Sequence, residues 1–406
     1  RKQVDVGDIM DKRKYGLALL VVALMAAILV PFMSAGKDSL VQEKTAENRE
    51  VKNVIIMISD GMGLADVTAA RMYKNGPDGA SLYFETLENI GYQRTYAKDS
   101  IITDSSSAGS AMACGEKFND GEICFHNETK SYKPSVLELA KEKGKATGIV
   151  ATSTITHATP AAFAAHSANR RCENEIARQY VQLTEPDVML GGGVEKFNST
   201  KADACKTSGD FITEVVQKGY SIVYTEEEMN SAVANGDTKL LGLFNKSGMT
   251  PEYQRLPDTT EPRLPEMTSA ALDILEKDNE GFFVMVEGSQ VDWGNHAHNL
   301  RYQIGETLAF DEAVKVVLDW INASSERKEH TLLIITSDHE TGGFAINGPN
   351  RIINAGEYVE DNWTSPEHTA VDTIIWSQGP GSEALGRAVD NTDIYMVMAK
   401  AIGKTE

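Results

Sequence analysis

Acidic and histidine side chains recur in this chain directly after short apolar segments, where they could bind metal ions. Asp60 follows the apolar segment 51–59 and precedes two nearby glycines. Glu287 ends another apolar segment, and Asp292 and His296 follow it four residues apart, a spacing that one helical turn places on a single face. Carboxylate and imidazole groups from several strand ends are suitable zinc ligands. These segments therefore predict a metal centre.

The last third of the chain adds three further candidate ligands. Asp338 and His339 follow the apolar segment 331–337, and the turn residues at 341–343 would let these adjacent side chains reach one site. His368 is the third candidate. Each residue alone is weak evidence, because a single Asp after a strand is more often a turn or cap residue. Isolated histidines elsewhere are more typical of the surface: His126, His298 and His330.

A candidate nucleophile lies in the segment 101–115, where a short apolar end gives way to small residues that could begin a helix. Ser105 would lie at or near the helix N-terminus, where free N–H groups and the helix dipole favour an alkoxide and a phosphate. The alternative is an ordinary capping residue, because Ser is also preferred there. The metal candidates favour the nucleophile, since two zinc ions can activate it and stabilise a leaving oxygen. Arg170 could clamp a phosphate bidentately, or lie at the surface beside Arg171.

Apolar strands that alternate with helical segments must position these residues. The clearest predicted strands are 51–59, 148–152, 187–190, 281–287, 331–337 and 371–376, and the clearest helices are 135–143, 266–277, 302–323 and 392–402. A further helix is predicted to begin at Pro160 and lead to Arg170. The alternation predicts an α/β, doubly wound fold with a mostly parallel central sheet and helices on both faces. Ligands bind beyond the carboxyl ends of such strands. Residues from about 196 to 265 are more polar, and we interpret them as an insertion in a single domain of residues 51–406.

The composition excludes some partners. The chain has 406 residues, of which 41% are hydrophobic and 24% are charged, as in globular proteins. Its formal net charge of −20 argues against nucleic acid as a standing partner. An anionic substrate would therefore need local positive charge from metal ions or arginine.

The N-terminal segment is typical of a targeting signal. Basic residues at 12–14 precede the apolar run 15–30, and small residues follow at 34–36. We therefore predict a signal peptide over residues 1–35 and a linker over 36–50. The alternative is an uncleaved membrane anchor, although the run is slightly short to span a bilayer. A cleaved signal predicts a periplasmic or extracellular protein without membrane association.

Export makes disulfides possible. The four cysteines allow three pairings, and closeness in sequence favours Cys114 with Cys124 and Cys172 with Cys205.

Together these motifs resemble those of the alkaline phosphatase family, in the family's order and over residues 51–402. The residues that carry the resemblance are Asp60-Gly-Met-Gly63, Thr103-Asp-Ser105, His157-Ala-Thr159, Arg170, Glu287, Asp292, His296, Asp338-His339-Glu-Thr-Gly342 and His368-Thr-Ala370. The resemblance implies hydrolysis of small phosphate monoesters through a phosphoserine formed on Ser105. It also implies two zinc ions and one magnesium ion as cofactors.

The resemblance assigns a role to each matched residue. Asp292, His296 and His368 match the ligands of the zinc ion that holds the ester oxygen. Asp60, Asp338 and His339 match those of the zinc ion that lowers the pKa of the serine. Asp60, Thr159 and Glu287 match the third site, which usually holds magnesium, and Arg170 matches the phosphate clamp.

Two residues depart from the best-known bacterial pattern. His157 replaces an aspartate on the magnesium side, so it is a candidate third-site residue that would hold magnesium weakly. Trp293 replaces a lysine near the phosphate, so it is a candidate substrate contact. Both residue types occur in the family. The segment 339–368 leaves little room for the family's crown insertion, so a homodimer is possible but does not follow from that insertion.

Two classes of alternative remain. The first is another enzyme of the same metal-dependent superfamily, such as a phosphodiesterase, a phosphoglycerate mutase or a sulfatase. The sulfatase motif Cys/Ser-x-Pro-x-Arg does not occur in the sequence, the mutase is usually cytosolic, and Arg170 fits a terminal phosphoryl group better than a diester. The second is a non-catalytic phosphate-binding protein, which would need no nucleophile.

Overall fold

The apolar run near residue 55 forms a central strand of a ten-stranded sheet. The computed structural model describes residues 50–404, so the predicted signal segment 1–35 and nearly all of the linker 36–50 lie outside the described residues. The strands of the main sheet are β1 (Asn53–Ser59), β2 (Asn89–Arg94), β3 (Ala146–Thr154), β4 (Val188–Gly192), β5 (Ser221–Val223), β6 (Leu240–Leu243), β7 (Phe282–Gly288), β8 (Thr331–Thr336), β9 (Thr373–Gln378) and β10 (Ala388–Asp390).

The strand order is β10-β2-β9-β8-β1-β7-β3-β4-β6-β5. Only β9 runs against the other strands, because it pairs antiparallel with both β8 and β2. The residue Ile58 of β1 pairs with Glu287 of β7 and Thr336 of β8, so these three strands end at the same level. The predicted doubly wound, mostly parallel α/β fold is confirmed.

Helices cover both faces of this sheet. They are α1 (Leu64–Asn75), α2 (Ser105–Cys114), α3 (Val136–Glu142), α4 (Ala158–Ala164), α5 (Glu173–Gln179), α6 (Val194–Phe197), α7 (Phe211–Gln217), α8 (Glu226–Asn235), α9 (Leu264–Leu275), α10 (Gln290–His296), α11 (Leu300–Asn322), α12 (Ser325–His330) and α13 (Asn391–Ala401). Alternate side chains of β1 enter two separate hydrophobic cores, with Ile56 in one and Ile55 in the other. A strand that is buried on both faces must be apolar throughout, as this segment is.

One local prediction is wrong, and one region shows more regular structure than its composition indicates. The helix near Pro160 ends at Ala164, so Arg170 lies in the loop before α5 rather than at the end of a helix. The region from about 196 to 265 contains regular elements, and its strands β5 and β6 extend the main sheet at one edge.

The disulfide prediction is confirmed, because Cys114 pairs with Cys124 and Cys172 pairs with Cys205. Among residues 50–404, none of the helices combines the length and the apolar character that crossing a bilayer requires.

Candidate active site

The predicted ligands converge at the carboxyl edge of the sheet. Asp60 follows β1, Glu287 lies near the end of β7, and Asp338 lies two residues beyond β8. His368 precedes β9 and reaches the same edge because β9 is antiparallel, which places its first residues beside the last residues of β8. The sheet topology therefore brings together side chains that are more than 300 residues apart in sequence.

Ser105 is the first residue of α2, and Asp104 is the N-cap, with its side chain accepting a hydrogen bond from the Ser107 N–H. Ser105 is buried, and its Oγ lies 3.3 Å from Nε2 of His339. The helix consists mostly of small residues because it packs closely on α4: a β-carbon at Gly109 would lie 3.2 Å from that of Ala162. This packing directs the helix N-terminus, with its free N–H groups, towards the ligand cluster.

Within residues 50–404, three groups of side chains have ligand atoms within 4.8 Å of one another. They are Asp60, Asp338 and His339; Asp292, His339 and His368; and Asp60, His157 and Glu287. The first group is the predicted serine-side set. His296 is absent from the second group, but its Nε2 lies 3.3 Å from Oδ1 of Asp292, and Nε2 of His368 lies 3.5 Å from the same oxygen.

The hydrogen bonds of the histidines leave one nitrogen free to bind a metal. Nδ1 of His296 lies 2.6 Å from the Pro366 carbonyl, and Nδ1 of His368 lies 2.8 Å from the Thr103 carbonyl. A carbonyl oxygen only accepts, so each Nδ1 carries the ring proton. In the neutral ring the lone pair is then on Nε2, which faces Asp292. Metal-binding histidines commonly have such a second partner.

Burying these negatively charged carboxylates together is energetically unfavourable unless cations neutralise them. Burial, with the charges of Asp338 and Asp292, raises the pKa of Asp60 well above its usual value. Burial also raises the pKa of Asp338 to about 6 and that of Glu287 to about 7. Both carboxylate oxygens of Asp60 and one oxygen each of Asp338 and Glu287 are buried without a hydrogen-bond partner. Divalent cations would satisfy these oxygens, so the residues fit metal ions.

Unpartnered atoms also occur at His157 of the third group and at Thr159, the remaining residue predicted for the third site. Thr159 Oγ1 and His157 Nδ1 are buried without a hydrogen-bond partner. Nε2 of His157 lies 3.3 Å from Nη2 of Arg170. A guanidinium only donates, so Nε2 accepts in this arrangement and the ring proton is on Nδ1. Burial and the charge of Arg170 lower the pKa of His157 to about 4, so the ring is neutral.

Arg170 is held by Asp104, the residue next to Ser105. Its Nη1 donates to Oδ2 of Asp104 at 2.9 Å. Burial opposes ionisation of Asp104, but Arg170 and hydrogen bonds from Ser106 and Ser107 outweigh it and lower the pKa of Asp104 to about 2. The ion pair thus joins the loop of Arg170 to the N-terminus of α2.

Trp293 lies beside His157 rather than among the carboxylates. The two rings meet edge to face, with centroids 6.2 Å apart and an interplanar angle of 86°. Sequence reasoning missed the role of Asp104, although its position before a serine-rich helix start is a capping signal. It also missed the hydrogen bonds from His296 and His368 to the carbonyls of Pro366 and Thr103, because any residue type can supply a backbone carbonyl.

Comparison with known proteins agrees with this geometry. The family model described as "Alkaline phosphatase" matches residues 51–362. Alkaline phosphatase 3 of Bacillus subtilis is 32% identical over 96% of this chain and 98% of its own length. The chain belongs to the alkaline phosphatase family. It is therefore a phosphatase that hydrolyses phosphate monoesters, and metal ions are its cofactors.

Solved structures of alkaline phosphatases have the same fold. The alkaline phosphatase from the Antarctic bacterium TAB5 superimposes with a TM-score of 0.76 and 31% identity, over 88% of this chain and 99% of that one. A histidine-to-aspartate variant of the TAB5 enzyme, described with magnesium bound in its M3 site, gives a TM-score of 0.75 and 30% identity, over 88% and 99% of the two chains.

Proposed function

We propose that Ser105 is the nucleophile of this alkaline phosphatase and that Arg170 clamps the phosphoryl group. The observation that carries the proposal is the position of Ser105 Oγ, 3.3 Å from His339 Nε2 at the N-terminus of α2. In the first step the Oγ–P bond forms while the ester P–O bond breaks and the alcohol leaves. In the second step water attacks phosphorus, the Oγ–P bond breaks, and inorganic phosphate is released with retention of configuration.

Two zinc ions would be held by the side chains at the serine end of the site. Asp60, Asp338 and His339 would bind one, and Asp292, His296 and His368 would bind the other. When bound, these ions supply charge stabilisation for the attacking and leaving oxygens. The protein fixes the ligands by hydrogen bonds to Nδ1 of His296 and His368, which keep Nε2 free. The small monoester would thus meet a positively charged site inside an acidic protein.

The wider organisation is also part of the proposal. Residues 51–406 would form one catalytic domain, with the segment from about 196 to 265 added at one sheet edge. The signal-like N-terminal sequence supports export to the periplasm or the cell exterior. The two disulfides, Cys114–Cys124 and Cys172–Cys205, are consistent with an oxidising compartment. A homodimer remains compatible with this organisation.

The proposal is tested by replacing the clamp residue. Arg170→Ala removes a bidentate, charge-assisted contact, so we expect a loss of about 2–4 kcal/mol in transition-state stabilisation. The inhibition constant of inorganic phosphate should rise together with the fall in monoester kcat/KM. Monoester and diester turnover are measured side by side, because the loss should fall mainly on the monoester, whose terminal phosphoryl group the clamp fits.

Arg171→Ala is the matched control, since Arg171 is the exposed neighbour in the same loop. It should keep wild-type phosphate inhibition. Unchanged phosphate inhibition in Arg170→Ala would remove Arg170 from the substrate site.

We propose a third site at Asp60, Thr159 and Glu287 that holds magnesium loosely. Magnesium prefers oxygen ligands. His157 offers no negative charge, and the proton on its Nδ1 faces no acceptor. A softer ion such as zinc or cobalt could compete there. The TAB5 variant has an aspartate in place of a histidine and magnesium bound in its M3 site. It supports the expectation that a carboxylate in place of a histidine favours magnesium.

His157→Asp should therefore bind magnesium more tightly. The wild-type enzyme is expected to need roughly millimolar magnesium, and the variant several-fold less, because a carboxylate adds charge and oxygen ligands. Equilibrium dialysis and activity titrations of zinc-reloaded protein measure both. His157→Asn is the control, since it supplies an oxygen without charge and should gain less. Superimposable magnesium binding curves for wild type and His157→Asp would contradict the proposal.

A further inference from the structure

Gly248 lies against the outer edge of the Trp293 indole. A β-carbon at this position would lie 2.6 Å from Cη2 and 2.8 Å from Cζ3 of Trp293. The backbone of Gly248 is outside the left-handed region, so its conformation is open to any residue. The close approach to the indole, rather than backbone conformation, is therefore what requires glycine here.

The loop that contains Gly248 cannot easily retreat from the indole. The N–H of Met249 donates to the Thr152 carbonyl at 2.9 Å, and its carbonyl accepts from Nε2 of Gln290 at 2.8 Å. The side chain of Met249 is buried in the core. Further along, the Asn245 carbonyl accepts hydrogen bonds from two N–H groups at the start of α6. A methyl group added at 248 would therefore displace the ring and not the loop.

One residue, His157, lies between the Trp293 indole and the phosphate clamp Arg170. The indole meets His157 edge to face at 6.2 Å, and Nε2 of His157 lies 3.3 Å from Nη2 of Arg170. The other side of Arg170 is fixed by its ion pair with Asp104. A shift of the indole would thus act on the nitrogen of Arg170 that His157 contacts.

We propose that Gly248 is a positioning residue for the phosphate clamp. Because Gly248 has no side chain, the loop 245–250 can pack directly against Trp293. Trp293 in turn packs against His157, and His157 contacts Arg170. The inference rests on the proposed role of Arg170 in binding phosphate. The two zinc groups take no part in this chain of contacts, so the effect should appear in phosphate affinity and not in zinc content.

Gly248→Ala tests the proposal. We expect the inhibition constant of inorganic phosphate and the KM of p-nitrophenyl phosphate to rise together by about three- to tenfold, as expected when one carbon is forced into a packed site. The kcat and the zinc content should change much less. The phenylalanine side chain is shorter than the indole, so in a Trp293→Phe background the added methyl group finds room. Gly248→Ala should then raise the inhibition constant by less than about twofold, a non-additive result typical of residues in contact.

Gly305→Ala is the matched control, because the nearest atom to a β-carbon at Gly305 is Cβ of Glu252 at 3.6 Å. This variant should keep the wild-type inhibition constant. Thermal unfolding is recorded for every variant. An unchanged inhibition constant in folded Gly248→Ala overturns the proposal, and so does an equal rise in the Trp293→Phe background. If Gly248→Ala alone does not fold, the proposal requires that Gly248→Ala fold in the Trp293→Phe background. An unfolded double variant would therefore also overturn the proposal.

Arg170→Ala separates this inference from the proposed function. If Arg170→Ala weakens phosphate inhibition and Gly248→Ala does not, the clamp stands and only the role of Gly248 fails. If Arg170→Ala itself leaves phosphate inhibition unchanged, the clamp assignment fails first.

Discussion

Ser105→Ala is expected to abolish covalent phosphorylation of the protein and to lower monoester kcat by about 10⁴-fold or more, as for other enzymes that lose their nucleophile. The reason is geometric: at the start of α2 the Oγ of Ser105 lies 3.3 Å from Nε2 of His339, the nitrogen on the side of the proposed zinc ligands Asp60 and Asp338. Acid-quenched protein incubated with labelled phosphate should carry the label on the Ser105 peptide in the wild type, and no label in the variant.

The same experiment distinguishes a lost nucleophile from a damaged site. The carboxylate and imidazole ligands of the three groups are all kept in Ser105→Ala, so this variant should retain its metal ions. Ser106 and Ser107 hydrogen-bond to Asp104 and are turned towards the clamp rather than towards His339. Label on either of these serines, or a labelled Ser105→Ala protein, would show that the nucleophile has been assigned to the wrong residue.

The positions of the ligands at strand ends were predictable because strand direction is regular. Apolar runs such as 51–59 identify buried parallel strands, and the carboxyl ends of parallel strands meet at one edge. The spacing of Asp292 and His296 fits α10, which contains both residues. His368 was a candidate ligand from the sequence, but no local pattern indicates that it precedes an antiparallel strand.

Other features depend on contacts between distant segments. Arg170 was predicted near a helix end, yet it lies in a loop whose position depends on Asp104, 66 residues earlier. The contact between Gly248 and Trp293 likewise joins two segments that share no motif. Residue type does not reveal such contacts, because a glycine required by a close approach resembles a glycine in an ordinary turn.

His298, at the edge of the site, also makes contacts that its residue type does not reveal. The sequence places it among surface histidines, and it is exposed. However, its Nε2 lies 2.9 Å from the Ser365 carbonyl, and its ring stacks on Trp363 with centroids 5.4 Å apart. His298 therefore helps to hold the segment that leads to His368, so His298→Ala is not a neutral control for ligand variants.

His368→Ala is expected to lose zinc and to lower kcat/KM by more than about 100-fold, because loss of a residue that merely supports a ligand already costs 10–100-fold. His368 presents Nε2 to Asp292 while Nδ1 is bound to the Thr103 carbonyl, two residues before Ser105. Removal of the His368 imidazole takes away one zinc ligand and the hydrogen bond to Thr103 in the segment that precedes Ser105. Zinc per protein chain is measured by mass spectrometry beside monoester turnover.

The control for His368→Ala is His330→Ala. His330 lies just before β8, at the opposite end of the sheet, where Nδ1 bonds to the Glu50 carbonyl. His330→Ala should keep wild-type zinc content and turnover. Excess zinc should restore part of the metal content of His368→Ala, since Asp292 and His296 remain, and thermal unfolding with and without zinc establishes that the protein is folded. A full zinc complement in His368→Ala without added metal would remove His368 from the ligand set, because a small ligand set cannot lose a member without losing affinity.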